Sequence, residues 1–157
     1  MRTALVVGAG IGGLSAGIAL RQAGWRVCIF ERASSPRELG FGLGLATNAI
    51  AALRELGVAG VVLARGFAPT RGEVRRMDGA VLKRAEFPPR AALGGQMEIA
   101  LRPDLHGALL DAVGADAIAL SSDATGFTIN ADRVTLHLAD GSTAEGDMLV
   151  GADGTGS

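Results

Sequence analysis

The feature that most constrains this chain is an apolar run that ends in a cluster of glycines. Thr3-Ala4-Leu5-Val6-Val7 leads directly into Gly8-Ala9-Gly10-Ile11-Gly12-Gly13. Such a short, uncharged run suits a strand buried on both faces of a parallel sheet. From Ile11 to Ala23 apolar residues recur at helical spacing (Leu14, Ile18 and the Ala16–Leu20 pair), and Gly24 stands where a helix C-cap belongs. Arg26 to Phe30 is a second apolar run, closed by Glu31. Strand, helix and strand in this order predict a βαβ unit with the glycine turn between its first strand and its helix.

Each glycine of the turn has a physical task. Gly8 permits the tight exit from the strand, Gly10 lets backbone approach a diphosphate without an intervening Cβ, and Gly13 lets helix and strand close on each other. Ile11, Gly12 and Gly13 open the helix, whose unpaired N–H groups and roughly half a positive charge favour an anion. Glu31 follows Gly13 by 18 residues, the place of an acid that accepts both hydroxyls of a ribose and repels a 2′-phosphate. Arg32, beside it, can flank the same nucleoside, as can Arg37, although solvated loop arginines are as common. NAD and FAD share an ADP half, so the turn itself leaves the dinucleotide open. The bland alternative is a glycine-rich turn in some other α/β protein.

Composition narrows the class. With 157 residues, 48% hydrophobic, 20% charged and a net charge of −1, the chain has the size of one globular domain and no basic excess for nucleic acid. Its 24 glycines are about twice the average share of ~7%; scattered through patterned sequence, they indicate turns and close backbone contacts rather than a linker. The uncharged stretch Ala4–Leu20 could pass for a signal peptide or a short membrane span. Its five glycines argue against both, each costing about 1 kcal/mol relative to Ala in a continuous helix. A cytoplasmic location is the expectation, with no membrane partner. The single cysteine, Cys28, excludes an intrachain disulfide and reads as a buried, small apolar residue.

Further along, Ser34–Gly44 reads as loop and Thr47–Leu56 as a helix stopped by Gly57. Arg71–Met77 and Ala80–Phe87 flank Asp78-Gly79, a strong hairpin signal. Pro88-Pro89 and Gly94-Gly95 break the chain before an extended Gln96–Leu101, and Pro103 fits the first turn of a helix continuing to Val113. Ala117–Leu120, Ala124–Asn130, Arg133–Leu138 and, after Asp140-Gly141, Thr143–Gly151 read as strands. The fold class expected is therefore α/β, a Rossmann-type βαβ core with added antiparallel hairpins. Glu38 and Glu98 are expected as surface charges. His106, without a partner in the sequence, is expected as a structural residue. There is no metal-ligand spacing, and no nucleophile elbow joins Ser15 to His106 or His137 as a catalytic triad.

Three spaced elements carry a family resemblance. Gly8-x-Gly10-x-x-Gly13 with Leu20, Gly24, Val27 and Glu31 resembles the FAD-binding fingerprint of the flavin-dependent aromatic hydroxylases, such as salicylate and hydroxybenzoate hydroxylases. Arg102-Pro103-Asp104-Leu105 is similar to that family's R-x-x-L element, and Gly151-Ala152-Asp153-Gly154 to its Asp-Gly element. Gly40-x-Gly42-x-Gly44, with Thr47-Asn48-Ala49 after it, is similar to the family's glycine-rich loop and following helix. The resemblance runs in order from residue 3 to residue 157. It implies FAD as cofactor, with Arg102 contacting it and Asp153 approaching its ribose. It also implies NAD(P)H as electron donor and hydroxylation of a small aromatic substrate with O2. Two departures stand out: Gly17 occupies a position the family gives to alanine, and the sequence ends at Gly156-Ser157, before the family's substrate domain. Residues 1–157 are thus expected to be the FAD-binding, N-terminal part of a longer enzyme whose C-terminal remainder completes it. No catalytic residue is assigned. The other readings are an NAD-dependent dehydrogenase, a flavin amine oxidase or reductase, and a catalytically silent nucleotide-binding fragment.

Overall fold

Thr3–Val7 forms β1, and its alternation buries both faces: Ala4 and Val6 on one side, Leu5 on the other. A strand buried on both faces must be central. In the computed structural model, which describes residues 1–36, 40–87 and 97–154, β1 is indeed flanked on both sides. The chain divides into two units, Met1–Leu39 with Leu105–Ser157, and Gly40–Asp104. Arg37, Glu38, Pro88-Pro89, Gly94-Gly95, Gln96 and Gly156-Ser157 lie outside the described residues.

In the first unit, α1 (Ile11–Gln22) joins β1 to β2 (Arg26–Phe30), which pairs with it in parallel. Two short strands of the second unit, β3 (Gly42–Leu45) and β6 (Glu98–Leu101), and a hairpin, β4 (Arg71–Arg75) and β5 (Val81–Glu86), intervene in the chain. α4 (Arg102–Val113) and a 3-10 turn at Ala115–Ala117 then lead to β7 (Ile118–Ala119), parallel to β2. β8 (Ala124–Asn130), β9 (Arg133–Leu138) and β10 (Thr143–Gly146) form an antiparallel meander. β11 (Met148–Gly151) closes the parallel sheet, whose order is β11-β1-β2-β7.

The expected Thr143–Gly151 strand is therefore two strands in two sheets. They part at Asp147, whose N–H donates to the Thr3 carbonyl (2.8 Å) and whose carboxylate accepts the Thr3 N–H (2.6 Å). Leu5, Phe30, Val134 and Leu136 are the buried centre between parallel sheet and meander, with half-buried Cys28 packed against them. On the opposite face α1 presses on β2. A Cβ on Gly17 would stand 2.9 Å from Ile29 Cδ1 and 3.2 Å from Val113 Cγ2, so glycine there sets the close approach of α1 to both β2 and α4.

In the second unit, β3 and β6 pair antiparallel, and α2 (Thr47–Glu55) and α3 (Ala59–Arg65) bury Ile50, Leu53 and Val62. β3 corrects the expectation of an uninterrupted Ser34–Gly44 loop, because pairing with β6 makes a strand of a glycine-rich segment. Glu98 corrects another. It is only 2% exposed, since the period of two along β6 sets it with Ala100 on the inward face, opposite buried Leu45. Among the described residues no helix is long and apolar enough to cross a membrane, and no three metal-ligating side chains gather.

Candidate dinucleotide site

The glycine turn is fixed from several sides. Gly8 N–H donates to the Phe30 carbonyl (2.8 Å) and Ala152 N–H to the Val7 carbonyl (2.8 Å), which tie together the carboxyl ends of β2, β1 and β11. Gly8 sits at φ +99°, where a side chain is strained, and a Cβ there would collide with the Ala152 carbonyl. A Cβ on Gly13 would in turn collide with the Gly8 carbonyl. These two glycines make the turn possible. Gly10, extended at φ −73° and ψ −178°, caps α1, whose ladder starts with Leu14 N–H donating to the Gly10 carbonyl at 3.0 Å. The N–H groups of Ile11, Gly12 and Gly13 precede that bond and have no earlier helical turn to pair with. A Cβ on exposed Gly12 would stand in open space. Bare amides at a helix start, with room before them, fit a diphosphate.

Glu31, at the tip of β2, does more than wait for a ligand. Its Oε2 accepts the Ala9 N–H at 2.8 Å and its Oε1 the Ala33 N–H at 2.9 Å. A carboxylate has about four lone-pair sites, so this bracing of the turn still leaves each oxygen an acceptor for a ribose hydroxyl. Gly8, Glu31, Arg32 and Asp153 line one cavity of about 740 Å³, formed wholly within the first unit. Asp153 follows the carboxyl end of β11, next to β1, on the edge of the parallel sheet where ligands of such sheets bind.

Arg102 belongs to the second unit. Its N–H donates to the Phe41 carbonyl (3.2 Å), and its side chain lies against Gly40, where a Cβ would come within 2.8 Å of Arg102 Cδ. The glycine at position 40 thus makes room for the arginine. Asp78-Gly79 and Asp140-Gly141 lie at the turns of two antiparallel pairs, β4–β5 and β9–β10.

The sequence did not single out Ser122, Asp123 and Thr125, which line the same cavity. Ser122 N–H donates to the Glu31 carbonyl at 2.9 Å. They follow β7, so the rule that ligands sit at the carboxyl ends of parallel strands was the signal that could have found them. His106 is a structural residue, as expected. It is buried and hydrogen-bonded through Nε2 to the Ala9 carbonyl at 2.8 Å, so it has the partner that the sequence could not reveal.

The whole chain, residues 1–157, matches a family described as the FAD binding domain. Among curated relatives, aurachin C monooxygenase/isomerase of Stigmatella aurantiaca is 38% identical over 97% of this chain and 40% of its own. The 3-hydroxybenzoate 6-hydroxylase 1 of Aquipseudomonas alcaligenes is 35% identical over 96% of this chain and 40% of its own. Among solved structures, a variant of Klebsiella pneumoniae HpxO complexed with FAD superposes with a TM-score of 0.88 at 30% identity, covering 98% of this chain and 40% of that one. The chain spans about 40% of the length of the curated relatives it matches.

Proposed function

This chain belongs to the FAD-binding domain family, and on that footing we propose that it holds FAD across the carboxyl ends of β11, β1 and β2, as the flavin-bearing part of a cytoplasmic monooxygenase. The whole enzyme uses NAD(P)H and O2 to hydroxylate a small aromatic molecule. The amides of Gly10, Ile11, Gly12 and Gly13 hold the diphosphate, while Gly8 gives the turn its shape. Glu31 takes the ribose of the adenosine half, with Arg32 flanking it. Asp153 approaches the cofactor from the neighbouring strand. Arg102, in the second unit, is proposed as a cofactor contact on the family resemblance alone. Residues 1–157 supply the FAD-binding portion, and substrate contacts fall to the stretch of the relatives that this chain does not span.

Bound flavin supplies the redox chemistry, and the protein supplies binding, orientation and exclusion of water. That division explains why no acid, base or nucleophile stands out in the sequence. The observation that carries the proposal is the opening of Gly8, Glu31 and Asp153, from three adjacent parallel strands, onto one cavity.

Purification of the whole protein tests it. A flavin absorbance band that survives desalting in the wild type and is lost in Glu31→Ala supports the site. Binding of NADH with no flavin points instead to a nicotinamide dehydrogenase, and binding of neither ends the proposal. Because Glu31 also braces the turn, Glu31→Gln is the sharper variant. It keeps one carbonyl acceptor, removes the charge, and is expected to weaken FAD binding by less than Glu31→Ala.

A further inference from the structure

Both peptide planes that flank Ala9 are held by side chains from distant segments. The N–H of Ala9 is taken by Glu31, and its carbonyl meets His106 Nε2 at 2.8 Å. A carbonyl can only accept, so the ring must present Nε2–H to it. We propose that His106 is a positioning residue of the diphosphate turn: by donating Nε2–H to the Ala9 carbonyl, it fixes the Ala9–Gly10 peptide with the Gly10 N–H facing the ligand. The proposal rests on reading the glycine turn as a diphosphate site.

The geometry follows from the peptide bond. Among the described residues no peptide is cis, and in a trans peptide C=O and N–H point in opposite directions. The Ala9 carbonyl points inward, since Ala9 and His106 are only 3% and 5% exposed. The Gly10 N–H therefore points away from His106, outward. Without such a brace this peptide is free to flip. Gly10 has no Cβ to resist a change of φ, and the bare approach that serves the diphosphate is what makes the plane loose.

The rest of the helix supports the assignment. His106, Leu109 and Val113 form a buried stripe of α4 at helical spacing. The stripe is apolar except at its first position, the one that meets a backbone carbonyl. Its far end is anchored to α1, where Arg21 Nη1 donates to the Val113 carbonyl at 2.6 Å. The histidine is thereby held by packing that does not depend on any ligand.

The test compares ADP with adenosine in the whole protein, for wild type, His106→Leu, His106→Asn and His106→Gln. Leucine removes the donor, the shorter asparagine amide falls short of the carbonyl, and glutamine reaches about as far as Nε2. One hydrogen bond lost from a preorganised turn corresponds to roughly two- to tenfold in affinity. The expectation is that much weaker ADP and FAD binding in the leucine and asparagine variants, unchanged adenosine binding, and recovery in glutamine. Equal loss of ADP and adenosine, or no loss of either, overturns the proposal. A wild type that binds neither ADP nor FAD overturns the diphosphate reading and this inference with it. One measurement needs no variant: a long-range ¹⁵N–¹H spectrum of the wild type should show His106 protonated at Nε2, and a neutral ring protonated at Nδ1 instead overturns it.

Discussion

Gly13→Ala adds one methyl group where the structure has no room for it. The new Cβ would collide with the Gly8 carbonyl oxygen, well inside the 3.0 Å that real Cβ atoms keep, and would stand 3.0 Å from the Gly8 carbonyl carbon and 3.4 Å from Ala152 Cβ. The obstacle is backbone, so rotation of a side chain brings no relief. Gly8 cannot retreat either, because its own vacant Cβ position is filled by the Ala152 carbonyl. The turn, β1 and the start of α1 would have to move apart together. Overpacking of this kind costs about 1–3 kcal/mol, and a collision with backbone on both sides belongs at the upper end. Alanine recovers up to about 1 kcal/mol of helix propensity, which leaves a net loss of about 2 kcal/mol. At about 2–4 °C per kcal/mol for a domain of this size, Tm should fall by about 4–8 °C. Gly12→Ala is the matched control: its Cβ meets nothing within 4 Å, so the same methyl one residue earlier should leave stability unchanged or raise it by up to about 1 kcal/mol. Urea unfolding followed by circular dichroism measures both, with equal m-values as the check that only stability has changed. Unfolding free energies for the two variants that agree within about 0.5 kcal/mol, an ordinary surface-mutation difference, would refute the claim that Gly13 is required by contact with Gly8.

Two further outcomes test the frame around the site. Arg21→Ala should cost about 1 kcal/mol through loss of the bond to the Val113 carbonyl. Asp116→Ala, which breaks only the exposed 3.4 Å ion pair with Arg21, should cost a few tenths at most; equal costs in urea unfolding would shift the effect to the ion pair. At the β9–β10 turn, the Ser142 hydroxyl, and after it the Ser142 N–H, hold the Asp140 carboxyl below its ordinary range. A depressed folded-state value stabilises the fold above the unfolded pKa of about 3.9, and that contribution is lost as pH falls through the lowered value. Ser142→Ala should therefore move the NMR titration of Asp140 upward, and an unmoved titration would remove the hydroxyl as the cause.

What the sequence revealed, and what it hid, divides along the range of the interactions. The alternation of Thr3–Val7, the helical spacing of α1 and the Asp78-Gly79 turn are local patterns, and the structure has these elements where the patterns set them. α3 was missed because its seven residues, Ala59–Arg65, are too few to show a period. β3 exists only because β6 pairs with it from far along the chain, and the break at Asp147 is made by Thr3, 144 residues away. Glu98 looked like a solvated charge because its neighbours in sequence do not reveal which face of a strand is inward.

The supports of the glycine turn follow the same logic in a stronger form. A glycine turn has few side chains of its own to hold it, so its braces come from elsewhere and end on backbone atoms. Glu31 ends on the Ala9 N–H and His106 on the Ala9 carbonyl, 97 residues away in the chain. Glu31 was singled out because an acid at that spacing from the glycine turn is part of the dinucleotide-binding fingerprint. His106 was not, because every residue but proline offers the same N–H and carbonyl, and no motif can encode a partner that all residues share. The trace it leaves is indirect: one polar residue heading an otherwise apolar stripe on α4, at the end of that stripe beside the turn.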